Sequence, residues 1–239
     1  MAELIPSYGS CKFTTTGEQR FAQRLRSHLE DDYLCWYDVP VGSVRHRYPD
    51  FVILHPGRGL LLLEVKDWKL QTIHEFDRFR VTLNVNNQLV KKNNPLKQVR
   101  DCSNALINSL QKDPQLLQKN GPYEGNLVCP YGVGVVLTNI TRKQFDDHDL
   151  GNVLPEHLVI CQDEMVESVD IEAFQKRLWD MFDVYFQHKL TLPQIDRIRW
   201  HLFPELRIKY SGQQPLFGGE EKPEVEIPDI VRIMDIQQE

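Results

Sequence analysis

Two carboxylates and one amine are spaced along the chain in a way that suits phosphodiester chemistry. Asp50 begins the apolar run DFVILH, and Glu64 and Lys66 end the run LLLLEVK at residues 60–66. The connection between the runs, Pro-Gly-Arg-Gly at 56–59, is typical of a tight β-hairpin. Because hairpin strands are antiparallel, we expect all three side chains at the same end of the hairpin.

The length of the hairpin loop decides whether the three groups can act together. Glu64 and Lys66 share one face, because alternate residues of a strand point the same way. A three-residue loop at 56–58 places Asp50 opposite Glu64, whereas a two-residue loop at 57–58 places it opposite Val65, on the wrong face. The catalytic hypothesis therefore requires the three-residue loop or a bulge.

Carboxylates on one face of a hairpin indicate a site for a hard divalent cation. Mg²⁺ binds one or two carboxylates and keeps several waters, and the backbone carbonyl of Val65 could add a further oxygen ligand. Such an ion activates water and polarises a phosphoryl oxygen, while Lys66 could orient or deprotonate the attacking water. The alternative interpretation is that Asp50 caps a strand and that Glu64 and Lys66 form a surface ion pair.

The surrounding pattern predicts an α/β fold with a mixed central sheet, the motif hairpin within it, and helices on both faces. Apolar residues at spacings of three and four predict helices over 16–30, 94–113 and 169–188 and after Thr191, with Thr16 as the first N-cap. Strands are predicted at 34–39, 131–138 and 157–161, and a second hairpin at 79–91 turns at Asn86-Asn87.

Composition is typical of a folded protein. The 239 residues, 41% hydrophobic and 26% charged, allow one domain or one domain with an appendage, and they exclude a disordered chain or a coiled coil. The sequence contains no apolar stretch long enough for a transmembrane helix and no signal peptide. Five widely spaced cysteines without a CxxC pair argue against a disulfide framework and a zinc site, so we expect a reducing compartment, most simply the cytoplasm.

Charge is divided unevenly along the chain, although the net charge is −6. Residues 1–100 contain 15 Lys/Arg and 11 Asp/Glu, whereas residues 101–239 contain 13 and 23. The positive first part indicates a polyanion site there, and a chance distribution of charges is the alternative.

Taken together, these motifs resemble a known family. Gly17-Glu18, DFVIL, the glycine turn, LLLEVK and NPLKQV are similar, in order and spacing, to the nuclease-related domain (NERD) of the PD-(D/E)xK nuclease superfamily. The resemblance is strongest over residues 16–110 and weaker through YGVGVVLTN. It implies a restriction-endonuclease-like fold and a nuclease that uses Mg²⁺ or Mn²⁺ to hydrolyse DNA. The residues themselves do not distinguish DNA from RNA.

The resemblance also assigns roles at one shared site. The catalytic residues it implies are Asp50, Glu64, Lys66, Glu18 and Gln98, and the metal ligands are Asp50, Glu64, Glu18 and the carbonyl of Val65. For Glu18 the alternative is compensation of the helix dipole in the first turn. For Gln98 it is an exposed polar position on a helix.

Cationic residues around the motif are predicted to bind the nucleic-acid backbone. The predicted phosphate contacts are Arg45, Arg47, Lys91, Lys92, Lys97 and Arg100, with Arg20, Arg24 and Arg26 completing a groove. Contacts of this type position a backbone without reading its sequence. No helix-turn-helix, zinc-finger or RNP pattern indicates sequence specificity.

The chain is predicted to divide into an N-terminal extension at 1–15, a nuclease-like domain at 16–210 and an acidic linker rich in Pro and Gly at 211–239. Residues 231–239 resemble the approach to a superfamily 1-type helicase, which implies a helicase domain after Glu239 and a role in DNA processing or phage defence. The alternative is a complete protein with a frayed tail. Two further interpretations stay open for function: a catalytically silent module for DNA binding or helicase docking, and a scaffold whose acidic tail binds another protein.

Overall fold

The computed structural model describes residues 1–41, 48–184 and 188–204. Its strands are β1 (Glu3–Ile5), β2 (Leu34–Tyr37), β3 (Phe51–His55), β4 (Gly59–Lys66), β5 (Ile73–Phe76), β6 (Arg80–Val85), β7 (Gln88–Asn93), β8 (Tyr131–Leu137) and β9 (Val159–Cys161). Its α-helices are α1 (Thr16–His28), α2 (Pro95–Leu110), α3 (Arg142–Asp147), α4 (Ile171–Trp179) and α5 (Leu192–Leu202).

The central sheet mixes parallel and antiparallel strands. Within the described residues it has six strands in the order β1-β2-β3-β4-β8-β9. The pairs β2–β3 and β3–β4 are antiparallel, and β1–β2, β4–β8 and β8–β9 are parallel. This arrangement confirms the predicted α/β fold class with the motif hairpin inside a mixed sheet.

The motif hairpin lies in the core. Residues 51–54 of β3 and 59–65 of β4 are all buried. Since consecutive side chains of a strand point to opposite faces, both faces of the sheet must be covered here. Helices α1 and α2 both pack against β4.

Helix α2 runs back across the sheet, because it joins the region after β4 to the parallel strand β8. Asn94 caps its start, with Oδ1 accepting a hydrogen bond from Leu96 N at 2.8 Å, and Pro95 occupies the first turn as the sequence predicts. The start of α2 thus lies at the end of the sheet that carries Glu64 and Lys66, and its last turn lies at the opposite end.

Two predicted details of the helices are wrong. The N-cap of α1 is Thr15, whose hydroxyl accepts a hydrogen bond from Glu18 N at 3.1 Å, and Thr16 is already helical. Helix α4 ends at Trp179 instead of continuing to residue 188. After α4 the backbone brings Met181 onto β8, where a Cβ at Gly132 or Gly134 would overlap Met181. The capping box of Thr191 and Gln194 at the start of α5 is confirmed.

A small second sheet, β5-β6-β7, follows the motif. Its β6–β7 turn is the predicted one, since Asn86 and Asn87 both have positive φ, at 51° and 63°. The third strand, β5, was not predicted, and neither was β1 at the edge of the central sheet.

Some predictions concern residues outside the described ranges. Arg45 and Arg47 fall within 42–47, and the acidic segment falls within 205–239. The division into domains and the helicase partner therefore stay predictions. No helix in the described ranges is long and apolar enough to span a membrane.

Candidate active site

The hairpin adopts the register that the catalytic hypothesis requires. Phe51 pairs with Leu63 and His55 with Gly59, so the loop consists of residues 56–58. One step further along this register, Asp50 faces Glu64. Its Oδ2 accepts a hydrogen bond from Val65 N at 2.6 Å, which fixes the carboxylate at the end of β4.

Glu64 is the most deeply buried carboxylate of this group. Its side chain is 1% exposed, and its Oε1 accepts a hydrogen bond from the ammonium of Lys66. Its Oε2 is buried and has no hydrogen-bond partner among the described residues. An unpaired oxygen on a buried charged group is costly, so this atom marks a place where a cation would be stabilising.

The acidity of these groups reflects their burial. Burial, and then the charge of Glu64, raises the pKa of Asp50 to about 7. Burial also raises the pKa of Glu64, although Lys66 opposes the shift. The charge of Glu18 contributes to raising both pKa values, so Glu18 lies close enough to act on this centre. Perturbed carboxylates of this kind cluster at functional sites.

Glu18 is held in place by the protein and is not an exposed residue of the first turn. Its side chain is buried, and Oε2 accepts hydrogen bonds from Tyr37 Oη at 2.5 Å and from Thr14 N at 2.9 Å. Burial and the bond to Glu18 raise the pKa of Tyr37 well above its usual value. Tyr37 therefore keeps its proton and orients the Glu18 carboxylate.

Asp38 is a further carboxylate beside this centre that sequence reasoning missed. Its N–H donates to Asp50 O at 3.1 Å, so the two residues lie side by side at the ends of β2 and β3. Burial, and then the charge of Glu18, raises the pKa of Asp38. The backbone of Asp38 is left-handed, with φ of 49°, and it ends β2. In the sequence, the signal for this end is a short polar residue directly after an apolar strand.

Asp67, also missed, ties α1 to the end of β4. Its Oδ2 accepts a hydrogen bond from Gly17 N at 2.9 Å, and its Oδ1 accepts one from the hydroxyl of Thr138 after β8. A Cβ at Gly17 would overlap both Asp67 Oδ1 and Thr138 Oγ1, so only glycine fits. This arrangement, here called the Asp67 clasp, positions Lys66 and Glu18 together, because each is the chain neighbour of a clasp residue.

The remaining predicted residues make no hydrogen bond or ion pair to the acids within the described ranges. Gln98 is half-buried on α2, and its side chain makes no hydrogen bond to the other described residues of the site. Lys97 forms an ion pair with Asp101 at 2.9 Å, and Arg100 is exposed. Lys91 and Lys92 are exposed neighbours on β7, so they point to opposite faces of the small sheet. A nucleic acid bound to one face of the small sheet would therefore meet Lys91 or Lys92, but not both.

Of the α1 arginines predicted to complete a cationic groove, Arg24 is buried away from it, whereas the prediction for Arg26 is untested. Arg24 is buried and donates from Nε to Met165 O at 2.9 Å. Arg26 lies over the ring of Tyr8, with 4.8 Å between its guanidinium carbon and the ring centroid. Of the three predicted arginines of α1, Arg20 lies near the candidate site. It donates a hydrogen bond to Asn139 Oδ1 at 3.0 Å and lies close to Asp67.

The donor set at the hairpin fits a hard divalent cation with few protein ligands. The described residues contain no group of three or more His, Cys, Asp or Glu side chains that could hold a metal ion. Two carboxylates with the Val65 carbonyl match the small number of protein ligands that Mg²⁺ uses, and the unpaired Oε2 of Glu64 supplies a suitable atom. The role of Glu18 as a direct ligand stays a prediction.

Comparison with known proteins agrees with the motif. The family model of the NERD nuclease-related domain matches residues 14–133, half of the chain, and this span contains the hairpin, α1, α2, and Gly17 and Asp67 of the clasp, whereas Thr138 lies beyond it. No curated protein and no solved structure matches the chain. A family match over this span, together with a mixed sheet that carries Asp50, Glu64 and Lys66 on its central hairpin, places the protein in the NERD family.

Proposed function

We propose that this protein is a metal-dependent nuclease that hydrolyses phosphodiester bonds of DNA at Asp50, Glu64 and Lys66. One observation carries the proposal: the buried Glu64 keeps one oxygen unpaired beside Lys66, at the strand end where Asp50 also lies. Membership of a nuclease-related family supports the same class of reaction.

The side chains of the hairpin would have separate roles in the reaction. Asp50 and Glu64, with the carbonyl of Val65, would hold Mg²⁺ or Mn²⁺. When bound, the ion supplies a Lewis acid for the phosphoryl oxygen and lowers the pKa of water. Lys66 Nζ, already beside Glu64, would orient the attacking water and offset the negative charge that develops on the phosphate.

The second layer of the site would keep this geometry fixed. Tyr37 and Thr14 hold Glu18 by hydrogen bonds to Oε2, and the Asp67 clasp holds α1 against β4. Groups prearranged in this way need not reorganise during the reaction. Gln98 would approach from α2, as the family resemblance implies.

Substrate binding would rest on charge. Lys91, Lys92 and Arg100 are exposed. One of the two lysines, which point to opposite faces of the small sheet, would contact phosphates together with Arg100, Lys97, Arg45 and Arg47, without reading bases. Coupling to a helicase domain after Glu239 would supply unwound strands.

A second candidate is a catalytically silent module that binds DNA. It is favoured by two features: Lys66 already occupies one oxygen of Glu64, and no three-residue metal-binding group exists in the described ranges. This alternative predicts DNA binding that is weakened by salt and unaffected by chelator.

Cleavage assays separate the two candidates. The purified chain is incubated with supercoiled plasmid, linear duplex, single-stranded DNA and RNA in Mn²⁺, Mg²⁺ or EDTA. Lys66→Ala is compared with Lys69→Ala, which removes an exposed lysine three residues away. We expect metal-dependent cutting that falls at least about 100-fold in Lys66→Ala and is retained in Lys69→Ala. Equal cutting by both variants would overturn the assignment, and DNA binding without cutting would favour the silent module.

A further inference from the structure

A cleft of about 580 Å³ lies where the end of α2 meets α5, far from the acids. Helix α2 has 16 residues and is therefore about 24 Å long, and the cleft lies beyond its last turn. Lys112 and Asp113 form one wall, and Asp196, Arg197, Trp200 and His201 form the other. This volume is within the usual range for small-molecule sites.

Asp113 fixes the orientation of side chains that line the cleft. It is 7% exposed, and Oδ1 accepts a hydrogen bond from Gln115 N at 3.0 Å. Its Oδ2 accepts from Arg197 Nε at 2.6 Å and lies 3.3 Å from His201 Nε2. These bonds fix two side chains of α5 in one orientation.

Arg197 keeps its outer donors available. Its Nε faces Asp113, and within the described residues neither terminal nitrogen has a hydrogen-bond partner. The side chain is 41% exposed beside the cleft. A planar guanidinium held at its Nε presents two parallel N–H groups, which match the oxygens of a phosphate.

One face of α5 combines this cation with an aromatic ring. Asp196 and Trp200, like Arg197 and His201, are four residues apart, so the four side chains lie together. Trp200 is 48% exposed, unlike the fully buried Trp36. An exposed indole beside a fixed guanidinium suits the stacking of a nucleobase.

We propose that this cleft binds a nucleotide unit, with its base stacked on Trp200 and its phosphate on Arg197 and Lys112. Asp196, four residues before Trp200, would accept a hydrogen bond from an exocyclic amino group, which adenine, cytosine and guanine carry and thymine and uracil lack. The ligand is either a free nucleotide or one unit of a single strand. Its binding requires no metal, so the site is independent of the proposed cleavage reaction.

Binding is measured by calorimetry in EDTA with the full chain, using 5′-AMP, inorganic phosphate and an eight-residue oligodeoxyadenylate. Trp200→Ala and Lys112→Gln are compared with Tyr123→Ala and Lys119→Gln, which change an exposed aromatic and an exposed lysine elsewhere. Lys66→Ala is included to separate this site from the acids. Thermal unfolding of each variant confirms that it is folded.

We expect Trp200→Ala to weaken binding at least about fivefold and Lys112→Gln about threefold, with both control variants unchanged. For Lys66→Ala only the affinity for 5′-AMP is compared, because the oligonucleotide would also contact the proposed cleavage site, and that affinity should equal the wild-type value. Binding of 5′-AMP identifies a free-nucleotide site, and binding of the oligonucleotide alone identifies a single-strand site. Absence of binding by both, equal binding by Trp200→Ala and Tyr123→Ala, or phosphate binding as tight as that of 5′-AMP would overturn the proposal. Each result is obtained whether or not the chain cleaves DNA.

Discussion

The carboxylates at the motif hairpin and those in two ion-pair clusters, one around Asp113 and one around Glu164, have pKa values shifted in opposite directions. At the hairpin, burial raises the pKa of Asp50 to about 7 and also raises that of Glu64, whose Oε2 is unpaired. In the clusters, Arg197 lowers the pKa of Asp113 to about 2, and Arg142 holds that of Glu164 below its usual value despite its burial.

The difference lies in the number of donors. Glu164 accepts two bonds from Arg142, at 3.0 and 2.9 Å, one from Arg177 at 3.3 Å and one from Cys161 N at 2.8 Å. Within residues 1–41, 48–184 and 188–204, Glu64 has one partner, Lys66. A carboxylate with several hydrogen bonds stabilises the fold. A buried carboxylate with one partner lowers the stability of the fold, so we infer that it is retained for function.

The largest expected effect is at Glu164, which accepts the most hydrogen bonds of the carboxylates compared. Glu164→Gln removes the charge that compensates Arg142 and Arg177, so it should lower the free energy of unfolding by about 3 kcal/mol. Urea unfolding followed by circular dichroism measures this change. A loss below about 1 kcal/mol would remove the contrast between the two regions.

The Asp67 clasp should be nearly as sensitive. Gly17→Ala places a Cβ where Asp67 Oδ1 and Thr138 Oγ1 lie, so Asp67 must move and its bonds break. We expect a loss of about 2 kcal/mol in unfolding free energy. Gly9→Ala is the matched control, since nothing lies within 4 Å of its added Cβ. Equal stability of the two variants would mean that the clasp does not hold α1.

Low pH should reduce the contribution that Asp113 makes to folding stability. Because its pKa is lowered on folding, its contribution to stability is complete above its ordinary pKa and declines as the pH falls from about 4 toward 2. Asp113→Asn should lower stability by about 1 kcal/mol at pH 7 and by less at pH 2. Unfolding titrations at both pH values measure the difference, and a loss that is equal at pH 7 and pH 2 would contradict the assignment.

The smallest effect is expected at the hairpin. In EDTA, Glu64→Gln keeps an acceptor for Lys66 and removes a buried charge that lacks a second partner, so stability should change by less than about 1 kcal/mol or increase. The same substitution at 164 is its matched comparison. A loss at 64 as large as that at 164 would show that Glu64 is a structural residue.

The sequence predicts the local parts of this site well. Pro56 to Gly59 indicates the hairpin, and one of the two loop lengths considered is the one observed. Asn94-Pro95 correctly starts α2, because a cap and a first-turn proline act on their immediate neighbours.

Contacts between distant segments were beyond such reasoning. Asp67 meets Gly17 across 50 residues of chain, and Met181 after α4 packs against two glycines of β8. Strand β5 is half polar and β1 has three residues, so neither has a readable period. The opposed faces of Lys91 and Lys92, in contrast, follow from strand alternation alone once the hairpin is assigned.

We expect Asp50 and Glu64 at the hairpin to bind a divalent cation. Calorimetric titration of the chain with Mn²⁺ measures this binding, with Glu64→Gln as the informative variant and Asp113→Asn as its control. We expect one ion per chain, binding at least about tenfold weaker in Glu64→Gln, and no change in Asp113→Asn. Mn²⁺ binding that is equal in wild type and Glu64→Gln, or absent from the wild type, would contradict it.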